Sequence, residues 1–149
     1  KGFGVEIDKD TITILKKNIN LNKISGKIKI LSQPTLNFIN AYLNKKELTK
    51  TLFLIDIEGG EYDLINSESI KLIKKSFLLI EMHPFANISK VKKKKFQNIL
   101  KKNFRIKIIK NSERNPFKRK IENLSDDERW LIVSEGRPNE MEWLLCYPK

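Results

Sequence analysis

The sequence predicts an α/β fold in which parallel strands form a sheet with helices on both faces. Three observations carry this. Apolar runs alternate with segments of helical periodicity along the whole chain. Two of those runs, residues 51–57 and 77–83, are nearly continuous in apolar side chains, as suits strands covered on both sides. The 149 residues are enough for one domain with a real core. No internal repeat and no interdomain linker interrupts the pattern, so residues 1–149 are expected to form a single domain.

The elements follow in order. Residues 3–8 read as a short buried strand ending in acids. Asp10 can cap the next helix, where Ile12, Leu15 and Ile19 recur at helical spacing until Gly26 breaks it. Residues 27–31 read as a more polar strand nearer an edge. Pro34 starts a helix carrying Leu36, Phe38, Ile39, Tyr42 and Leu43. After the strand at 51–57, Glu58-Gly59-Gly60-Glu61 is a turn, and a helix is expected over residues 62–75. Pro84 stops the strand at 77–83. Ser89 opens a helix with Phe96, Ile99 and Leu100 on one face, so its run from Lys92 to Lys95 is read as the solvated face. Residues 104–109 form a strand, and 111–123 a polar loop. Ser125 and Glu128 have the spacing of a capping box, which predicts a helix over 126–135 ending at Gly136. The apolar run 130–133 leaves a strand there as the alternative. Residues 141–147 make the last strand. Cys146, Trp130 and Trp143 are expected in the core or in a pocket wall.

Composition narrows the function classes. Lys and Arg number 30 against 18 Asp and Glu, for a formal charge of +12. Of the basic residues 25 are Lys and 5 are Arg, and Lys, Ile and Asn together make 60 of the 149 residues. All three have A/T-rich codons, so the charge reads first as a solvated, Lys-biased surface. A nucleic-acid reader leans more on Arg, whose planar fork pairs with phosphate and guanine. One Cys excludes an internal disulfide and a Cys-rich zinc site. Without a secretory signal or an apolar run of about 18 residues, a cytoplasmic location with no membrane partner is expected.

In a parallel α/β sheet, ligands bind beyond the carboxyl ends of the strands. The residues to inspect are therefore Glu6 and Asp8, Ser32 and Gln33, Asp56 to Glu61, and Glu81 to His83. They are rich in carboxylates and include the chain's single His.

Two segments together carry a resemblance. Gly4-Val5-Glu6-Ile7-Asp8, followed by a helix with Asn18 and Asn22, resembles the second strand and helix of class I S-adenosylmethionine-dependent methyltransferases. Leu54-Ile55-Asp56-Ile57-Glu58-Gly59-Gly60-Glu61, then a helix, then Leu79-Ile80-Glu81-Met82-His83, is similar to the FkbM-type branch of that family. The resemblance covers residues 3–84 and implies a Rossmann-like methyltransferase sheet with S-adenosylmethionine as cofactor. It implies that Glu6 binds the cofactor ribose, with Asp8, Ser32 and Asp56 also at the cofactor, although Asp8 is read rather as the helix-capping partner. It places Asp56, Glu58 and His83 at the chemistry, His83 as the base for O-methylation. Gly59, Gly60, Glu61 and Glu81 would then line the substrate pocket. No metal is expected: Asp56, Glu58 and His83 are a mixture that would suit a divalent cation, but three dispersed residues are no spacing motif.

The family pattern opens with a strand and a Gly-rich turn that this chain does not show. That strand and turn are therefore expected to be missing, leaving two inner sheet edges unpaired. The chain is expected to be the carboxyl-terminal part of a longer protein and inactive alone. The implied acceptor is a small molecule or glycan. A nucleic-acid acceptor is disfavoured, because Asp56-Ile57-Glu58-Gly59 stands where amino-methylating enzymes carry Asn/Asp-Pro-Pro-aromatic. A non-catalytic basic RNA-binding domain, using the Lys92 helix, is the reading from another class.

Overall fold

The computed structural model describes residues 2–32, 36–83, 88–110, 115–118, 123–134 and 141–149. By its internal contacts the chain divides into two compact units, Lys1–Asn44 and Lys45–Lys149.

In the first unit, β1 (Gly2–Val5) and β2 (Ile28–Leu31) run parallel, with Val5 opposite Leu31. The Glu6 amide donates to the Leu31 carbonyl at 3.1 Å, carrying the ladder one step beyond β1. α1 (Lys9–Leu21) connects the strands and buries Ile19. Its cap is Asp8 rather than Asp10: the Asp8 carboxylate accepts from the Thr11 amide at 2.7 Å. Asp10 lies in the first turn, where its charge suits the helix dipole. Pro34, the expected helix start, lies outside the described residues. Beyond it the expected helix is two short pieces, a 3-10 turn over Leu36–Phe38 and α2 (Ile39–Tyr42), burying Leu36, Phe38 and Ile39.

In the second unit, α3 (Lys45–Leu48) leads into β3 (Leu52–Ile55). Next come α4 (Glu61–Leu64), α5 (Ser69–Ile73) and β4 (Phe77–Met82). The chain continues through α6 (Lys90–Asn103), β5 (Phe104–Lys110), α7 (Asp126–Ser134) and β6 (Glu142–Pro148). The strand order is β3-β4-β6-β5. β3 and β4 are parallel, whereas β6 runs antiparallel to both of its neighbours. The sheet is thus mixed, not wholly parallel. After the long connection from β5, β6 returns between β4 and β5, setting Leu144 opposite Ile80 and Cys146 opposite Leu78.

The helix expected over residues 62–75 is broken at Asn66. Its side-chain oxygen accepts from the amides of Glu68 and Ser69 at 2.9 and 3.0 Å, so the side chain competes with the helical ladder and restarts it as α5. β4 buries Leu78 and Ile80 fully. β3 departs from the both-faces expectation, since Leu52 and Leu54 are 56% and 64% exposed. Among the described residues β3 pairs with β4 alone and β1 with β2 alone. Gly2 and Gly4 lie inside β1, not in a turn after a strand.

α6 is capped by Ser89, whose hydroxyl accepts from the Lys92 amide at 3.3 Å. It buries Phe96 and Leu100, with the Phe96 ring 4.9 Å from that of Tyr62. Lys92 pairs with Asp63, while Lys94 and Lys95 are exposed as expected. α7 begins in a reciprocal capping box: Ser125 Oγ accepts from the Glu128 amide at 3.3 Å, and Glu128 Oε2 from the Ser125 amide at 2.7 Å. Trp130 on α7 is exposed and meets Phe117 edge-on, outside the core. Cys146 is in the core, and burial pushes its thiol up to about 12. No helix among the described residues is long and apolar enough to cross a membrane.

Two measurements check this account. Phe96→Ala should lower the unfolding free energy in urea by about 3–5 kcal/mol, the usual cost of removing a buried Phe. Backbone hydrogen bonds from Thr11 and Ser125 hold the carboxyls of Asp8 and Glu128 below their ordinary values of 3.8 and 4.5. Their stabilisation is complete above those ordinary values and is lost as pH falls through the lower folded ones. Circular dichroism should show helix loss below about pH 4, and the loss should be shallower in Asp8→Asn, whose cap does not titrate.

Candidate active site

Parallel pairing puts the carboxyl ends of β3 and β4 at one edge, and Ile55 stands opposite Ile80. Asp56 therefore emerges level with Glu81, and His83 follows one residue beyond β4. The segment after β3 turns sharply. Glu58 takes φ 50° and Gly59 φ 98°, a left-handed pair that only glycine adopts without strain. Gly60 stands in tight quarters, where a Cβ would lie 3.2 Å from the Ile57 carbonyl oxygen. α4 then starts at Glu61.

Glu61 is completely buried. Its carboxylate accepts from the Gly59 amide at 2.9 Å and from the His83 amide at 3.2 Å. Glu61 Oε1 also faces His83 Nδ1 at 3.4 Å. One side chain thus ties the turn after β3 to the end of β4. Glu61 was expected at a pocket rim; it is instead an internal strut, because three donors converge on it away from water. His83 is buried too. Its Nε2 lies 3.5 Å from Asp56 Oδ1 and 3.3 Å from Glu58 Oε2. Those two side chains are 45% and 75% exposed, so they form the open face of the site over an imidazole floor. Glu81 is buried in the same cluster, one donor atom each from Asp56, Glu81 and His83 lying within 4.8 Å of one another.

The structure therefore brings together Asp56, Glu58, Glu61, Glu81 and His83, with Gly59 and Gly60 shaping the backbone between them. The closeness of Glu81 to Asp56 comes from strand register, which no sequence spacing displays. The remaining candidates belong to the other unit. Glu6 follows β1, and its Oε1 accepts from the amides of Ile7 and Asp8 at 2.6 and 2.9 Å. Ser32 is exposed just after β2, and the ladder that joins Glu6 to Leu31 makes it a neighbour of Glu6. Asp8 is committed to its cap. Gln33 lies outside the described residues.

No family model matches the chain, and no curated protein matches it. Solved structures do. A putative rRNA methylase from Clostridium thermocellum matches with a TM-score of 0.51 at 11% identity, covering 99% of this chain and 73% of that one. An S-adenosylmethionine-dependent O-methyltransferase from Thermotoga maritima matches at 0.50 and 10% identity, covering 99% of this chain and 50% of that one. The methyltransferase domain of METTL16 matches at 0.56 and 15% identity, covering 98% of this chain and 49% of that one. The protein thus shares the Rossmann-like methyltransferase fold and spans about half to three quarters of the length of these chains.

The turn makes a direct prediction. Gly59→Ala should destabilise the protein by about 1–3 kcal/mol, the cost of holding a side chain in a disfavoured backbone region. Urea denaturation measures this, and an unchanged midpoint would refute the strain argument.

Proposed function

We propose that the protein takes part in S-adenosylmethionine-dependent O-methylation of a small molecule or glycan. The observation that carries this reading is the convergence of Asp56, Glu58 and His83 at the carboxyl edge of two parallel strands in a methyltransferase-type fold. The cofactor end fits in its donor set: Glu6 offers a half-buried carboxylate just after β1, and the exposed Ser32 follows the paired β2. A carboxylate can accept from both hydroxyls of a ribose, and that is the role given to Glu6. When bound, S-adenosylmethionine supplies an electrophilic methyl group on a sulfonium centre.

The chain's own residues would supply the proton chemistry. Asp56 and Glu58, at the open face, accept a hydrogen bond from the acceptor hydroxyl and orient it. Glu61 Oε1 faces Nδ1 of His83, and with the proton on Nδ1 the lone pair would lie on Nε2. Nε2 then takes the hydroxyl proton as the oxygen attacks. A cytoplasmic location goes with this reading.

A second reading concerns the acceptor. α6 carries seven Lys and no acidic residue, and two of the similar folds bear RNA-methylase or METTL16 names. A nucleic acid would be drawn to that helix. The carboxylates at Asp56 and Glu58 disfavour it at the site, since they repel phosphate.

Titration calorimetry with S-adenosylmethionine should show at least about tenfold weaker binding for Glu6→Ala than for wild type, from the loss of charged hydrogen bonds. Transfer of labelled methyl to hydroxyl acceptors should vanish in His83→Ala while cofactor affinity stays. Full turnover in that variant would end the base assignment. Labelling of RNA but not of small hydroxyl compounds would favour the second reading.

A further inference from the structure

We propose that Asp56, Glu81 and His83 form a binding site for a divalent transition-metal ion such as Zn2+ or Mn2+, with Glu58 at its open side. In sequence these residues are dispersed, and no spacing motif joins them. The fold removes that objection. One donor atom from each of Asp56, Glu81 and His83 lies within 4.8 Å of the other two.

The separations themselves leave room for a metal ion between the donors. His83 Nε2 stands 3.5 Å from Asp56 Oδ1 and 3.3 Å from Glu58 Oε2. Donors arranged tetrahedrally at about 2.0–2.1 Å around a metal are about 3.3–3.4 Å apart. The imidazole nitrogen already stands at about that spacing from each of the two exposed carboxylates.

Charge points the same way. Asp56, Glu58 and Glu61 all approach the imidazole within 3.5 Å, and among the described residues His83 is their ion-pair partner. Even a protonated imidazole leaves these three carboxylates in excess negative charge, inside a site where His83 and Glu61 are fully buried. His83 Nε2 faces the carboxylate oxygens of Asp56 and Glu58. A cation lodged between them would be ligated from all three sides. The mixture of one imidazole nitrogen with carboxylate oxygens suits Zn2+ or Mn2+ better than Mg2+ or Ca2+, which favour oxygen alone.

The proposal stands on this geometry and does not require the methyl-transfer reading. If both hold, a bound cation occupies the His83 lone pair, and His83 becomes a ligand rather than a base. The metal would then lower the pKa of a hydroxyl bound to it, with the exposed Glu58 placed to receive the proton.

The test uses the protein without S-adenosylmethionine, so its outcome is separate from any failure of cofactor binding. Zn2+ titrated by calorimetry should bind at one site. Asp56→Asn and Glu81→Gln should each weaken it by at least about tenfold, while Glu68→Gln, on an exposed surface pair with Lys71, should leave it unchanged. Mn2+ should selectively broaden the imidazole resonances of His83, the chain's only His. Circular dichroism checks that each variant is folded. If the buried Glu81→Gln does not fold, the exposed Asp56→Asn decides alone. Absence of Zn2+ binding, wild-type affinity in Asp56→Asn, or Mn2+ broadening that spares His83 would each overturn the site.

Discussion

The carboxyl edge of the sheet depends on one buried carboxylate. Removing an ionised Glu from water costs several kcal/mol unless hydrogen bonds replace its hydration. Glu61 obtains them from the amides of Gly59 and His83 and from the His83 ring. Those same bonds place the left-handed turn after β3 against the end of β4. Asp56, Glu58 and His83 come from separate stretches of chain, and this shared acceptor keeps them in register. An isosteric neutral side chain would keep the shape and lose the strongest of these contacts.

Charge is distributed unevenly around that edge. The protein as a whole is strongly basic, yet its candidate site is a carboxylate cluster around a single imidazole. The basic surplus is densest on α6, which carries seven Lys and no acidic residue, with Lys94 and Lys95 exposed. Several of those Lys stand in the first turns of α6, where the helix dipole opposes positive charge. Packing of Phe96 against Tyr62 and the Lys92–Asp63 pair hold the helix there regardless.

Much of the fold was legible in the sequence, and the exceptions have physical causes. The six described strands fall within a few residues of their apolar runs, and in β4 the full burial of Leu78 and Ile80 accounts for the run. The Ser125 box and the Ser89 cap were readable because capping needs particular side chains at fixed offsets. The antiparallel course of β6 was not, since direction within a sheet leaves no mark on an apolar run. The break at Asn66 was missed because one side chain overrode a helical periodicity that continues on both sides of it. At the site, the identities of Asp56, Glu58 and His83 were legible from the segments that carry them. The depth of Glu61 was not: an acid in a first helical turn looks the same in sequence whether it faces water or a buried imidazole. The nearness of Glu81 to Asp56 follows from inter-strand register alone.

Cys146 gives the core a built-in reporter. Only a thiolate reacts readily with alkylating reagents, and this thiol is both sealed from solvent and pushed far from ionisation at neutral pH. It lies on β6, between β4 and β5, so it becomes reachable only when the centre of the four-stranded sheet opens. With one Cys in the chain, the rate at which a thiol reagent is consumed reads that opening directly, as a clock free of competing sites.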